Sequence, residues 1–382
     1  MAEEHRGPPL DILVLNWRDE RHPRAGGAEV LTHGHARRLV ERGHQVTMFV
    51  GAVEGAPQEE NVDGLRVIRR GGPITTRAHA IWWYRRQVRA GRPFDVVVEE
   101  VNTLPYFLGR LCGARSLLWI HQLAREVWWH EAPRHLAPLG FALERSYLRF
   151  YRRTPAAVLS ESTRQDLIDL GFRDDRVVVV PPAIDQPASP PAMPKEQGLL
   201  VYVGRVTPSK RIDHLIRALA EVRKSGINAR LEIVGRGPPA ERRRLEDLAR
   251  STDIDRFVRL RGYIESAEKT HLLARASLVV MTSVREGWGL VVTEANALGT
   301  PAVVYDRPGL RDSTLDGRTG LVTDSDPVAL GAGIRLLLTD ADLYQRMSAG
   351  AREWSRQFSW DRSSKVFEQT LADVARGKWH QQ

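Results

Sequence analysis

Short apolar runs separated by amphipathic stretches recur along the chain. Residues 11–16 (DILVLN) read as a buried strand, because the run is apolar throughout, short, and closed by polar residues. Residues 30–42 carry apolar positions at helical spacing and stop at Gly43, and residues 45–50 form the next strand. Residues 95–99 (DVVVE), 117–120 and 157–160 are further strands. Strands that alternate with helices predict a parallel sheet covered on both faces.

The pattern breaks between residues 177 and 194. A β-branched run (VVVV) ends in Pro181-Pro182, and a stretch rich in Pro and Ala follows, which suits an extended linker. The alternation then restarts. Strands are expected at 198–204 (GLLVYVG), 230–235 (RLEIVG), 258–262, 278–282 and 301–305. Helices are expected at 212–224, 239–250, 266–274 and 293–298, and residues 342–378 read as amphipathic helix interrupted near 358–360. The chain of 382 residues therefore divides into two doubly wound α/β domains. They cover 1–182 and 198–355, joined by a linker over 183–197. A C-terminal helix over 356–382 is expected to cross back to the first domain.

Composition adds three constraints. The formal net charge is +9, which favours an anionic partner. The excess is spread over both halves, with no zinc-finger spacing or RNP-type motif, so a phosphate-facing or solvated surface is expected rather than a nucleic-acid site. The single cysteine, Cys112, excludes an intrachain disulfide, fits a reducing compartment and reads as a small buried hydrophobe. No apolar run approaches the roughly 20 residues that span a bilayer. Residues 1–9 are charged and Pro-rich without a signal-peptide core, so a cytoplasmic location is expected.

Two constellations carry candidate chemistry. In the first, Gly204-Arg205-Val206-Thr207-Pro208-Ser209-Lys210 follows one buried strand and precedes a helix. Ligands of doubly wound sheets bind at strand carboxyl ends. There Arg205 offers a fork of donors to a diphosphate and Lys210 a point charge. The plainer reading is a solvated loop with two surface charges. In the second, Glu286-Gly287-Trp288-Gly289-Leu290 joins a strand to a helix, and Glu294 lies eight positions after Glu286. The glycines let backbone amides approach a ligand, and a helix N-terminus favours an anion. One carboxylate can take ribose hydroxyls and the other sugar hydroxyls. The plainer alternative makes Glu294 a complement to the helix dipole and Glu286 a solvated charge.

The E-x7-E arrangement, with GRVTPSK about eighty residues upstream, resembles the retaining glycosyltransferases of the GT-B fold, family 4. The resemblance extends to AGGAEV around Gly26 and Gly27, WIHQ around His121, SESTRQDL from Ser160, and VPPAID before the linker. It implies two Rossmann-like domains facing a cleft, with a UDP- or GDP-sugar on the C-terminal one. Arg205 and Lys210 would hold the diphosphate and stabilise the leaving charge, Glu294 the ribose, and Glu286 the sugar near its 3-hydroxyl. The amides of Gly287, Trp288, Gly289 and Leu290 would contact sugar and phosphate. Ile264 matches the position whose backbone reads the base, with Lys269 beside it. His121 matches a histidine near the donor sugar, with Arg125 and Glu126 expected to line the same cleft. Gly26 and Gly27, after the Asn16-Trp17-Arg18-Asp19 loop, form a Gly-rich turn between first strand and first helix.

Three D-x-D pairs, Asp253/Asp255, Asp324/Asp326 and Asp340/Asp342, could hold a metal, but each falls in an expected turn or helix start. With two fixed cations at hand, metal-independent transfer without a cofactor is expected. IWWYRR at 81–86 and FALERSYLRFYRR at 141–153 mix aromatic residues with arginine. They suit a membrane-interface or lipid-acceptor surface at the inner membrane face. The reading favoured here is helices whose aromatic face packs on the core while their arginines are solvated. The acceptor is expected to be a saccharide or lipid-linked hydroxyl. A nicotinamide dehydrogenase would need G-x-G-x-x-G after residues 11–16, which this chain lacks. A sugar-nucleotide epimerase or a non-catalytic sensor would share the architecture. The E-x7-E pair favours transfer over the first, and the intact charged set argues against the second.

Overall fold

The computed structural model describes residues 8–102, 104–186 and 193–379. The middle of the expected linker (187–192) and most of the N-terminal 1–9 segment lie outside the described residues. Contacts divide the chain into two units. The first comprises Met1–Ala124, Ala142–Ala183 and Trp360–Gln382; the second comprises Arg125–Phe141 and Ile184–Ser359.

The first unit holds β1 (Asp11–Leu15), β2 (Gln45–Val50), β3 (Glu59–Val62), β4 (Leu65–Arg69), β5 (Val96–Glu100), β6 (Ser116–Ile120), β7 (Ala156–Val158) and β8 (Val177–Val179). Their order is β3-β4-β2-β1-β5-β6-β7-β8. All pair in parallel except β3 with β4. Residues 12–15 of β1 and 96–98 of β5 are buried throughout, as continuous apolar runs require. The β3–β4 hairpin escaped the apolar pattern because β3 is a polar edge strand. Its two-residue turn, Asp63-Gly64, has positive φ at both positions, the geometry in which Asp-Gly is favoured. The VVVV run before the expected linker is itself the edge strand β8. The first helix, Gly27–Glu41, begins three residues before the expected start. Cys112 is half-buried against the core.

The last amphipathic stretch is interrupted just before Trp360, near the expected break, and so forms two helices. Ala341–Ser355 belongs to the second unit and Trp360–Ala375 to the first. Trp360 lies against helix Gly27–Glu41 at Gly34, where a Cβ would sit 2.0 Å from its ring, so only glycine admits this approach. The neighbouring His35 is fully buried, with its ring centroid 4.8 Å from Phe367, 5.5 Å from Trp360 and 5.9 Å from Trp119. Its ring nitrogens lie 3.2 Å from Ser363 Oγ and 3.3 Å from Ser364 Oγ.

Burial first, then the charges of His121, Arg38 and Arg42, push the His35 pKa from 6.5 down to about 3. The unfolded chain takes up this proton near pH 6.5 and the folded chain does not until about pH 3. Between those values the unfolded state binds more protons, so stability falls as pH falls, by about 1.4 kcal/mol per pH unit for this group. Urea unfolding across that window is expected to lose one proton's worth of slope in His35→Gln. Equal slopes in the two proteins would contradict the assignment.

The second unit holds β9 (Leu199–Val203), β10 (Arg230–Val234), β11 (Val258–Gly262), β12 (Leu278–Met281), β13 (Ala302–Tyr305) and β14 (Gly320–Thr323), in the order β11-β10-β9-β12-β13-β14. Every pair is parallel. The chain winds outward from β9 through β10 to β11, then returns to the other side of β9 with β12. Strand order therefore reverses between β9 and β12, and a ligand crevice opens at the carboxyl ends of strands where order reverses. In the first unit the reversal lies between β1 and β5.

Helix Ile212–Lys224 has its expected bounds, and helices Pro239–Ser251 and Ser266–Arg275 run one residue longer. The helix expected at 293–298 is instead Leu290–Ala297. Gly289, left-handed at φ 92°, ends the loop and starts the helix early. Glu294 thus stands in the second turn, where a dipole interaction with the helix start is weaker.

Candidate functional site

The loop after β9 is held by glycine. Gly235, at φ 143°, brings its backbone so close that a Cβ would sit 1.7 Å from the Gly204 carbonyl oxygen. A Cβ on Gly237 would sit 2.2 Å from the Val206 carbonyl oxygen. The loop closes in a short turn, Pro208–Lys210, and Arg211 at φ 51° leads into helix Ile212–Lys224. This buries Lys210, which is 7% exposed, while the Arg205 side chain remains 52% exposed.

The loop after β12 is joined to it by hydrogen bonds. Thr282 Oγ1 donates to the Lys210 carbonyl at 2.8 Å, and the Val284 amide donates to the Ser209 carbonyl at 2.9 Å. Lys210 Nζ then donates to Glu286 Oε1 at 2.6 Å, and Ser283 Oγ donates to the same oxygen at 2.6 Å. Glu286 is set from behind by a third loop. Its amide donates to the Pro308 carbonyl at 3.0 Å, and a Cβ on Gly309 (φ 82°) would sit 2.3 Å from the Glu286 carbonyl oxygen. The two constellations read from the sequence therefore converge at the reversal between β9 and β12.

Gly287, Trp288 and Gly289 lead from Glu286 into helix Leu290–Ala297, where the Val292 amide donates to the Gly289 carbonyl at 2.8 Å and the first amides, Leu290 and Val291, precede any intrahelical acceptor. The Trp288 side chain is committed to the interior. Its indole N–H donates to Thr293 Oγ1 at 2.8 Å and its ring lies 5.0 Å from Phe358. Trp288 therefore offers a ligand its backbone. Glu294 takes hydrogen bonds from Lys269 Nζ at 2.9 and 2.8 Å, a pairing of two candidate residues that the sequence did not suggest. Ile264 follows β11 and packs partly on the core, next to Tyr263, whose exposed ring lies 4.4 Å below the Arg236 guanidinium.

A carboxylate that the sequence did not suggest occupies the Arg205–Lys210 loop. Glu131, on the short helix Trp128–Glu131 of the second unit, accepts from Thr207 Oγ1 at 2.9 Å and from Ser209 Oγ. Arg205 Nη1 lies 3.9 Å from it. Burial raises its pKa, but the Ser209 hydrogen bond, Arg205, Thr207 and Lys210 together outweigh this and leave it below the ordinary carboxylate value. Glu126, expected beside His121, also belongs to the second unit and accepts from Arg285 Nε at 2.6 Å.

In the first unit, β1, β5 and β6 end in a buried polar group. Asn16 Nδ2 donates to Glu100 Oε2 at 2.5 Å, and His121 Nε2 lies 3.6 Å from that oxygen and 3.3 Å from Thr32 Oγ1. His121 Nδ1 has no hydrogen-bond partner among the described residues. The Gly26 amide, expected to face a ligand, instead donates to Glu29 Oε2 at 2.7 Å, and Glu29 pairs with Arg18 at 2.8 Å. Glu100 had a signal in the sequence: a β-branched strand ending in two acids is unusual for a buried run. Its neighbour Glu99 is structural, taking hydrogen bonds from Gly109 N, Ser116 Oγ and Tyr151 OH. Glu131, Gly235 and Gly309 had no such signal, since their roles depend on loops distant in sequence.

Of the D-x-D pairs, Asp326 caps a helix through the amides of Val328 and Ala329, and Asp340 caps another through Leu343. Asp253 lies in a turn at φ 55°. Among the described residues no cluster of three or more His, Cys, Asp or Glu side chains could hold a metal, and no helix is long and apolar enough to cross a membrane.

Comparison with known proteins adds to this geometry. The family described as "Glycosyl transferases group 1" matches residues 186–354, and "Glycosyltransferase Family 4" matches residues 25–186. A D-inositol 3-phosphate glycosyltransferase of Nocardioides sp. is 32% identical over 92% of this chain and 86% of its own. Another, from Kineococcus radiotolerans, is 33% identical over 56% of this chain, which spans only 57% of that relative. Among solved structures, sucrose-phosphate synthase from Thermosynechococcus elongatus aligns with TM-score 0.80 at 21% identity, covering 95% of this chain and 98% of that one. Anabaena HepE, solved in complex with UDP-glucose, aligns with TM-score 0.74 at 18% identity over 95% and 100%. Two α/β units built on parallel sheets are the architecture of these GT-B proteins.

Proposed function

The chain belongs to glycosyltransferase family 4 and is a glycosyltransferase, and from that premise we propose that it moves a sugar from a nucleotide-diphosphate donor to an acceptor hydroxyl with retention of anomeric configuration. The observation that carries this reading is the convergence of Lys210 and Glu286 at the reversal between β9 and β12, with Arg205 on the same loop as Lys210. The fixed Lys210, the more exposed Arg205 and the first amides of helix Leu290–Ala297 offer a leaving diphosphate positive charge. Glu286, held by Lys210 and Ser283, is assigned to the sugar, and Glu294, held by Lys269, to the ribose. The Ile264 backbone is assigned to the base, and His121 to a sugar hydroxyl. The Gly26-Gly27 turn is assigned to a phosphate or the acceptor, approached from the side of Gly26 where a Cβ would meet only Glu29 Oε2, at 3.9 Å.

The sugar's bond to the diphosphate breaks, a bond to the acceptor oxygen forms on the same face, and the departing phosphate takes the acceptor's proton. Arg205 and Lys210 supply the charge that a metal would otherwise provide, so neither a metal nor a cofactor is required. HepE was solved with UDP-glucose, which supports a UDP-sugar within the UDP/GDP class. Relatives named for an inositol phosphate acceptor support a polyhydroxylated acceptor, free or lipid-linked.

The test is a screen of UDP- and GDP-sugars against saccharide, polyol and lipid-linked acceptors with EDTA present, read by mass spectrometry and by NMR of the anomeric centre. A glycosylated product of retained configuration is expected. Release of nucleotide without product across the acceptors, or an inverted product, would count against the proposal.

Glu131 bears on the same site. A carboxylate bonded to Thr207 and Ser209 competes with a diphosphate for the donors of this loop. Glu131→Gln is expected to lower the donor KM by roughly threefold to tenfold while changing kcat little, an effect of about 1 kcal/mol for one partly exposed charge. A raised KM would instead make Glu131 a positioning residue for the loop.

A further inference from the structure

The mixed aromatic and basic motifs are divided by the fold. In helix Thr76–Arg89, Trp83 and Tyr84 join the core with Phe49 and Ala80, while Trp82 turns outward. Beside this helix lies the short helix Leu108–Cys112, because Arg85 Nη2 donates to the Leu111 carbonyl at 3.3 Å. Beside that lies helix Ala137–Tyr151, because Arg110 donates to the Phe150 carbonyl and its guanidinium sits 5.1 Å from the Phe150 ring. The first two helices and residues 142–151 of the third thus adjoin at the surface of the first unit.

That surface has an unusual composition. Trp82, Leu111, Leu143 and Phe150 each expose more than half of their area. Between them stand the exposed Arg85, Arg86, Arg89, Arg110, Arg145 and Arg149. The first two helices contain no acidic residue. The third contains only Glu144, which is buried and accepts from the Ala124 amide at 2.7 Å. None of the six arginines is paired with a carboxylate among the described residues. A groove of about 680 Å³ lined by Ala78, Ile81, Trp82, Leu111 and three of these arginines runs along the first helix.

We propose that this three-helix face docks on an anionic lipid bilayer. Tryptophan, leucine and phenylalanine set among arginines match the layered chemistry of the bilayer boundary, where apolar tips enter the acyl region and guanidinium groups remain with lipid phosphates. The absence of exposed acids on the three helices removes the repulsion an anionic leaflet would otherwise impose. Nucleic acid would account for the arginines and Trp82 but leaves Leu111 and Leu143 without a role. The inference does not depend on the donor assignment, since none of these residues belongs to the β9–β12 site.

The test is flotation of the full chain with vesicles of phosphatidylcholine alone or mixed with phosphatidylglycerol. Binding is expected only to the anionic vesicles, falling as salt rises. Arg85→Gln/Arg86→Gln/Arg89→Gln is expected to weaken it roughly 100-fold and Trp82→Ser about tenfold, with glycosyl transfer to a water-soluble acceptor unchanged as the folding control. As a second readout, brominated lipid is expected to quench wild-type fluorescence more than that of Trp82→Phe. No binding to either vesicle would overturn the proposal. So would binding that these substitutions leave unchanged, or preferential binding of a short oligonucleotide that displaces the vesicles.

Discussion

Lys210→Ala is expected to lower turnover at saturating donor by roughly 10²–10³-fold, the size of effect seen when one preorganised charge-stabilising donor is removed. Lys210 is buried and its ammonium is fixed by Glu286, so it meets a departing diphosphate without first reorganising. The half-exposed Arg205 is screened by water, and Arg205→Ala is expected to cost nearer tenfold. A second effect must be separated from the first. Removing Lys210 leaves Glu286 without its counter-ion, and that alone destabilises the loop. The double variant Lys210→Ala/Glu286→Gln relieves the orphaned charge, so its melting temperature should recover relative to Lys210→Ala while turnover stays low. If turnover recovered as well, Lys210 would be holding Glu286 in place and the charge assignment would fail.

Gly235→Ala is expected to destabilise the second unit by about 3 kcal/mol, lowering its melting temperature by roughly 6–12 °C. Two penalties coincide at this position: a left-handed backbone at φ 143°, and a Cβ aimed 1.7 Å from the Gly204 carbonyl. Because the obstructing atom is backbone, relief requires moving the loop that carries Arg205, so activity should fall with stability. Gly226→Ala is the control. It has φ 84° with open space around its Cβ, so it carries the conformational penalty alone. Calorimetry that found equal losses in the two variants would show that the close approach to Gly204 contributes nothing.

Much of this protein is legible along the chain. Residues 12–15, 96–98 and 199–202 are apolar without interruption because their strands are covered on both faces, and that pattern survives in one dimension. GRVTPSK directly follows the last of these strands and E-x7-E follows the apolar run 278–282, so both loops are placed at strand ends by the sequence. Local geometry was also readable where the chain signals it, as in helix Ile212–Lys224, while the left-handed Gly289 moved the start of helix Leu290–Ala297 by three residues.

Tertiary structure decided which of these loops meet. Residues 210 and 286 are far apart in sequence, and nothing in either segment states that β12 returns beside β9 rather than beyond β11. The same holds for Glu131, which reaches Thr207 and Ser209 across a similar separation, and for Gly309, which can carry no side chain because the Glu286 backbone passes against it. Adjacent residues could part company too. Trp82 faces out and Trp83 faces in, a division set by which side of the helix the sheet covers. Hydrophobic periodicity reports an element's own repeat over a few residues, whereas strand order and loop convergence come from packing elements against one another. The sequence by itself thus determined the two α/β units and their candidate charges; the folded structure alone decided how those charges are paired.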